Sequence, residues 1–226
     1  MNASVRRTTA TLWVGSGRSI HTCLRLAETV RRLAVVAYPT LSDDDRHWIE
    51  GIRARYDPLA SRIAAHFTLV FPAEVAEAPV VALVKDALQS LESIPVVLRR
   101  AAAFPNATGS GYYVFLLADE GSPELLEVHD TLYNGVLAAH RRRDIPFAPH
   151  VTVGAHPQLE ECERIASQLK EERRIVRARI DSVDVIEVIE SMVRTVAAVP
   201  LGRSSNQPPN PTVQRPGGSR CSPSGR

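Results

Sequence analysis

Lysine is almost missing from this chain. Of its 27 basic residues only Lys85 and Lys170 are lysine; the rest are arginine. Against 25 acidic residues the formal charge is +2, too small for a surface that coats nucleic acid. In a chain also rich in alanine and valine, the arginine bias reads as GC-rich codon usage. The runs Arg99-Arg100 and Arg141-Arg142-Arg143 are therefore expected to be solvated surface rather than phosphate readers. Cysteine is scarce as well. Cys23, Cys162 and Cys221 lie far apart with no C-x-x-C spacing, which argues against a disulfide framework and for a reducing, cytoplasmic setting. No apolar run approaches the roughly 20 residues of a membrane-spanning helix, so no membrane partner is expected.

The ends lack what a core needs. Residues 1–31 contain one acidic residue, Glu28, among arginines, serines and threonines, and no charged segment there is followed by an adequate apolar one. They read as a flexible extension. Residues 203–226, RSSNQPPNPTVQRPGGSRCSPSGR, have almost nothing to bury and read as a disordered tail. Residues 32–202 remain as one domain, long enough for a sizeable core without staples.

Within that domain, strands and helices interleave. LAVVAYP (33–39) reads as a buried strand closed by proline. Ser42 with Asp45 predicts a capped helix through about Arg55, and Asp43-Asp44-Asp45 suit its positive end. HFTLVFP (66–72) is the next strand. Residues 75–91 carry Val80, Val81, Val84, Ala87, Leu88 and Leu91 at helical spacing. IPVVLRR then begins a strand whose antiparallel partner is GYYVFLLAD (111–119). Pro123 opens a helix through Leu137, HVTVGAHP (150–157) is a strand, 158–172 is helical, and 176–189 and 192–199 are β-rich. The class is α+β with antiparallel sheets flanked by helices.

HFTLVFP raises a question of chemistry. In a strand His66, Thr68 and Val70 share one face, and Phe67, Leu69 and Phe71 the other. Alone, the histidine and threonine are a tolerated polar pair. The spacing H-x-T recurs at His129-Asp130-Thr131 and His150-Val151-Thr152. The first of these lies in PELLEVHDTLYNGVL, a helical pattern, where residues two apart diverge by about 200° and cannot address one ligand atom. It is a coincidence. The second lies in a strand like the first, 84 residues on, and each strand follows a loop and precedes a helix. This predicts a pseudo-symmetric, two-lobed domain whose strands meet across a central cleft.

Two imidazoles converging there can divide acid and base work near neutral pH. One takes a proton from water, the other gives one to a leaving oxygen, as in-line displacement at phosphorus requires. Thr68 and Thr152 are suited to hold the non-bridging oxygens. No metal or other cofactor is required. Zinc is the weaker reading, since His150 and His156 are six apart and no third ligand is evident.

The paired HFTL and HVTV strands resemble the two signatures of the two-histidine (2H) phosphoesterase superfamily, the 2′-5′ RNA ligase-like proteins. RYDPLASRIAAHFTLVFP and RDIPFAPHVTVG resemble the family's approaches to its two motifs, and the resemblance spans roughly residues 32–200. It implies a bilobal α+β fold and metal-independent hydrolysis of 2′,3′-cyclic phosphates on nucleotides or RNA ends, usually leaving a 2′-phosphate. His66 and His150 would be the acid–base pair and Thr68 and Thr152 the phosphate ligands. The working assignment makes His150 the base and His66 the acid, although the sequence itself does not assign the roles. RNA-processing members often carry a basic residue shortly after the second motif. Here Gly154-Ala155-His156 stands in its place, and a proline follows the first motif, which favours a small nucleotide or RNA end over long RNA.

Tyr38, Phe71, Tyr113 and Phe147 lie near strand ends or cleft loops and are candidates to stack a base, though each also reads as a core or rim aromatic. His21, His47, His129, His140 and His156 read as surface or helix residues. A monomer is expected. The alternatives are a 2′-5′ RNA ligase, whose cleft would be the same, and a non-catalytic nucleotide- or RNA-binding module, which has no need of a facing acid and base.

Overall fold

Two antiparallel sheets carry the fold, and the chain first passes between them at a tyrosine. β1 (Val30–Ala37) belongs to one sheet and β2 (Pro39–Leu41) to the other, with Tyr38 between them. The proline expected to close a 33–39 strand instead opens a second strand. The structure, a computed structural model, describes residues 29–107, 109–190 and 192–202. The expected extension up to residue 28 and the expected tail from 203 lie outside the described residues. Because β1 starts at Val30, the last two residues assigned to the extension are part of the sheet.

The chain continues through α1 (Asp43–Tyr56), β3 (Phe67–Ala76), α2 (Glu77–Leu88), β4 (Ile94–Pro105), β5 (Tyr112–Glu120) and α3 (Ser122–Leu132). A 3-10 helix (Gly135–His140), β6 (His150–His156), α4 (Leu159–Glu171), β7 (Val176–Ile180), β8 (Ser182–Ile189) and β9 (Met192–Pro200) complete it. The first sheet has the order β3-β1-β8-β9 and the second β2-β7-β4-β5-β6. All their strand pairs are antiparallel. The β-rich stretch 176–189 thus divides at Asp181, giving one strand to each sheet.

Local chemistry accounts for most boundaries. Ser42 caps α1: its Oγ accepts from the Asp45 N–H at 3.1 Å and donates to the Asp45 carboxylate at 2.9 Å, a cap worth about 1 kcal/mol. The helix expected to reach Leu137 stops at Leu132 and gives way to the 3-10 helix that starts at Gly135, φ 50°. Gly121, at φ 78°, precedes α3, and a Cβ there would lie 2.3 Å from the Pro95 carbonyl oxygen. Only glycine fits. In α4, Cys162, Ile165, Ala166 and Leu169 form the apolar stripe of an amphipathic helix.

Helices cover one face of each sheet. α2 packs on the first sheet and α3 against β3, while α1 lies against β6 and α4 against β4 and β5. One continuous core fills these interfaces, each fully buried Leu, Ile or Val contributing about 1.5–3 kcal/mol. The approach of β6 to α1 explains Gly154, where a Cβ would come within 3.1 Å of Tyr56 Cβ. On the opposite face of the first sheet, Ala34, Val36 and Ile186 form a second, small apolar cluster edged by Tyr38 and Ile63.

HFTLVFP departs from simple alternation. The β1–β3 register shifts on either side of Val35, which pairs with Val70. Leu69 and Val70 are consequently both buried in the main core and Phe71 is half-buried, whereas Val70 was expected beside Thr68. The strand runs on to Ala76 because β3 is an edge strand, where a proline costs little pairing.

Candidate active site

β3 is an edge of one sheet and β6 an edge of the other, and the two edge strands run close together. His66 immediately precedes β3 and His150 is the first residue of β6. Each is half-buried, as are Thr68 and Thr152. The structure therefore brings the two H-x-T segments to one place and leaves the third outside it, on α3.

The same local device orients both imidazoles. His66 Nδ1 lies 2.8 Å from the Ala64 carbonyl oxygen and His150 Nδ1 lies 2.6 Å from the Ala148 carbonyl oxygen. A carbonyl can only accept, so each Nδ1 carries the hydrogen, and in the neutral ring Nε2 holds the lone pair. Neither threonine hydroxyl has a hydrogen-bond partner among the described residues, so both remain available to a ligand.

Burial sets the titration of the pair. Both rings are partly withdrawn from solvent, and removal from water disfavours the imidazolium. Burial pushes His150 down to about 4, against the hydrogen bond to Ala148, and the charge of His66 pushes the same way. His66 is lowered chiefly by burial too, with Arg53 adding to the effect, while the Ala64 hydrogen bond, Asp57 and Glu50 oppose it. The charge of His66 thus bears on the protonation of His150.

Phe115 locks His150 in place. It pairs with Thr152 across β5 and β6, and its ring stacks on the imidazole with centroids 3.6 Å apart and planes at 20°. Phe104 and Tyr113 stack on Phe115 in turn, at 5.1 and 5.8 Å. The sequence reading missed Phe115, although alternation in GYYVFLLAD puts it on the same face as Tyr113.

An ion-pair network secures the loop before His66. Arg53 is 1% exposed. Its guanidinium donates to Glu50 at 2.8 Å, to Asp57 at 2.9–3.0 Å and to the Ile63 carbonyl at 2.8 Å. The other Glu50 oxygen accepts from the Ala65 N–H at 2.8 Å. These bonds fix both ends of the segment that delivers His66. Glu50, Arg53 and Asp57 stand at i, i+3 and i+7, spacing that places them along one face of a helix.

Of the four candidate stacking aromatics, two join the histidines. Tyr38 has its ring centroid 6.1 Å from that of His66, and Tyr113 reaches His150 through Phe115. Phe71 donates its backbone N–H to the Tyr133 hydroxyl at 3.1 Å and makes no ring contact with either histidine. Phe147 stacks on His129 at 3.9 Å and packs against the core. His129 is 8% exposed, held between Phe147 and Tyr133 with Nδ1 2.9 Å from Asp130. It is a packed core residue of α3. Arg99 and Arg100 pair with Asp119 and Glu120 on the surface, and Arg141 and Arg142 with Asp130 and Asp144. Among the described residues no three His, Cys, Asp or Glu side chains group as metal ligands, and no helix is long and apolar enough to cross a membrane.

The family model described as the 2′-5′ RNA ligase superfamily matches residues 41–190. A protein of Bacillus licheniformis provisionally named a phosphoesterase is 29% identical over 118 residues, 52% of this chain and 68% of its own. One from Bacillus mycoides, named likewise, is 24% identical over 178 residues, 77% of this chain and 99% of its own. Among solved structures, E. coli LigT complexed with 3′-AMP aligns at a TM-score of 0.49 and 15% identity, covering 76% of this chain and 98% of that one. Kluyveromyces marxianus Usb1 aligns at 0.49 and 12% identity, covering 76% and 99%.

Proposed function

This chain belongs to the 2′-5′ RNA ligase superfamily, the two-histidine phosphoesterases, and on that premise we propose that it hydrolyses 2′,3′-cyclic phosphates on nucleotides or RNA ends. The supporting observation is the duplicated device at the two sheet edges. Two imidazoles, each with Nδ1 bonded to the carbonyl two residues before it, leave two Nε2 atoms for a phosphate between them.

The reaction follows from that arrangement. His150 is neutral at pH 7, since burial holds it near 4, and its Nε2 takes a proton from water. The water oxygen bonds to phosphorus as the bond from phosphorus to O3′ breaks. Burial lowers His66 against the Ala64 hydrogen bond, Asp57 and Glu50; in its protonated form it donates its Nε2 proton to O3′, leaving a 3′-hydroxyl and a 2′-phosphate. The phosphate's own negative charge favours protonation of the pair when substrate is bound. Thr68 and Thr152 donate to the non-bridging oxygens, where charge builds in the transition state. No step requires a metal. Attack by a ribose hydroxyl in place of water is the 2′-5′ ligase reaction on the same groups.

The experiment is turnover of the four 2′,3′-cyclic mononucleotides in EDTA, with the product isomer identified by phosphorus NMR. Nucleoside 2′-phosphate is expected. A 3′-phosphate, or activity that EDTA abolishes, contradicts the proposal.

A further inference from the structure

The face of the first sheet that presents Thr68 also carries a carboxylate that two-histidine chemistry does not use. Asp184 of β8 pairs with Val36 of β1, and Val36 pairs with Thr68 of β3. Directly paired residues share a face, so Asp184 and Thr68 point the same way, two strands or ~10 Å apart. The wall around Asp184 is apolar, made by Ala34, Val36 and Ile186 with Tyr38 at its edge.

Asp184 is 9% exposed, yet its environment does little to satisfy it. Among the described residues it makes no ion pair, and its one hydrogen bond is a long one, 3.4 Å from Ser182 Oγ to Oδ1. Among the described residues no fully enclosed side-chain oxygen or nitrogen lacks a partner, so Oδ2 retains some exposure. The carboxylate is close enough to raise the Tyr38 phenol, whose pKa burial already pushes up, and the Tyr38 ring stands 6.1 Å from that of His66. A nearly buried carboxylate with an open oxygen, one nucleotide's reach from the phosphate site, is built to receive N–H donors.

We propose that Asp184 reads the base of the substrate and selects guanine, with Tyr38 flanking the ring. This inference rests on the cyclic-phosphate reading of the cleft. The choice among bases follows from donor geometry. A carboxylate offers only acceptors. Guanine alone presents two adjacent N–H donors, N1–H and the N2 amine, that match the open Oδ2 and an Oδ1 holding only the long Ser182 bond. Adenine and cytosine set a ring-nitrogen acceptor beside their amine, and uracil flanks its one N–H with carbonyls, so each places a lone pair against a carboxylate oxygen.

Calorimetric binding of the guanosine, adenosine, cytidine and uridine 2′-monophosphates to the full chain tests this. Wild type should bind the guanosine nucleotide at least about ten-fold more tightly than the others, with the inosine nucleotide, lacking the N2 amine, in between. Asp184→Asn should weaken guanosine binding by about 10- to 100-fold. It should also improve adenosine and cytidine, because an amide offers the acceptor and donor their edges match. Asp184→Ala should lose the preference without gaining a new one. Equal binding of all four bases by wild type, or uniform weakening of all four by both variants, overturns the base reading and leaves the cyclic-phosphate proposal standing. Failure of wild type to bind any of them overturns both.

Discussion

His150 lies flat against Phe115, ring centroids 3.6 Å apart, while its Nδ1 bonds to the Ala148 carbonyl at 2.6 Å. The hydrogen bond fixes the direction of the ring and the stack fixes its plane. His66 has only the first restraint, since Tyr38 stands 6.1 Å away and tilted by 58°. If His150 is the base, Phe115 is a positioning residue. Phe115→Leu should lower kcat by about 10- to 100-fold with little change in KM, and Phe115→Tyr should retain most activity. Loss of KM alone, or no loss, would contradict this role.

The pH dependence of kcat/KM follows from the depressed pair. The productive form has one ring protonated and one neutral. His150 is held near 4 and His66 is also lowered from 6.5. The profile should be a bell with its maximum between roughly pH 4 and 6.5, falling above it as the acid loses its proton. An optimum at pH 8 or a flat profile would be inconsistent with these directions.

The same burial makes folding sensitive to acid. Both folded-state pKa values lie below that of an unfolded histidine, so in acid the unfolded chain binds protons that the folded chain refuses. Stability contributed by the neutral rings is complete above about pH 6.5 and declines as pH falls toward 4. His150→Gln should lose less stability than wild type between pH 7 and 5, measured by urea midpoints. Equal losses would show that the site does not oppose protonation.

Arg53 should be the most costly arginine to remove. Arg53→Ala leaves Glu50 and Asp57 without their shared cation and frees the Ile63 carbonyl, which should cost about 3–5 kcal/mol. Arg99→Ala, at a solvated pair, should cost less than about 1 kcal/mol. Chemical denaturation of the two variants provides the comparison, and similar small losses would mean the network holds nothing together.

The architecture and the H-x-T segments were legible because both rest on local rules. Alternation, proline and glycine punctuation and the Ser42 cap located most elements, and the helical period separated His129 from the strand histidines. What escaped depended on pairing. The shift at Val35 that buries Val70, the passage between sheets at Tyr38 and the division at Asp181 are settled by which strand lies alongside. Phe115, Arg53 and Asp184 stayed silent for the same reason. A phenylalanine in a strand, an arginine in a helix and an aspartate in a β-rich run gain their settings only once His150 and the 57–65 loop lie beside the first two and Thr68 shares a sheet face with the third. Phe147, by contrast, was near the second motif in sequence and is spent on packing His129.

The most direct test of the account is kcat on a 2′,3′-cyclic nucleotide for His66→Ala and His150→Ala at the wild-type optimum, with folding verified by circular dichroism. If the two rings are acid and base, each variant should lose about 10²–10⁴-fold in kcat while remaining folded, and the double variant should lose less than the product of the two. A folded single variant that keeps activity within a few-fold of wild type would contradict the two-histidine mechanism.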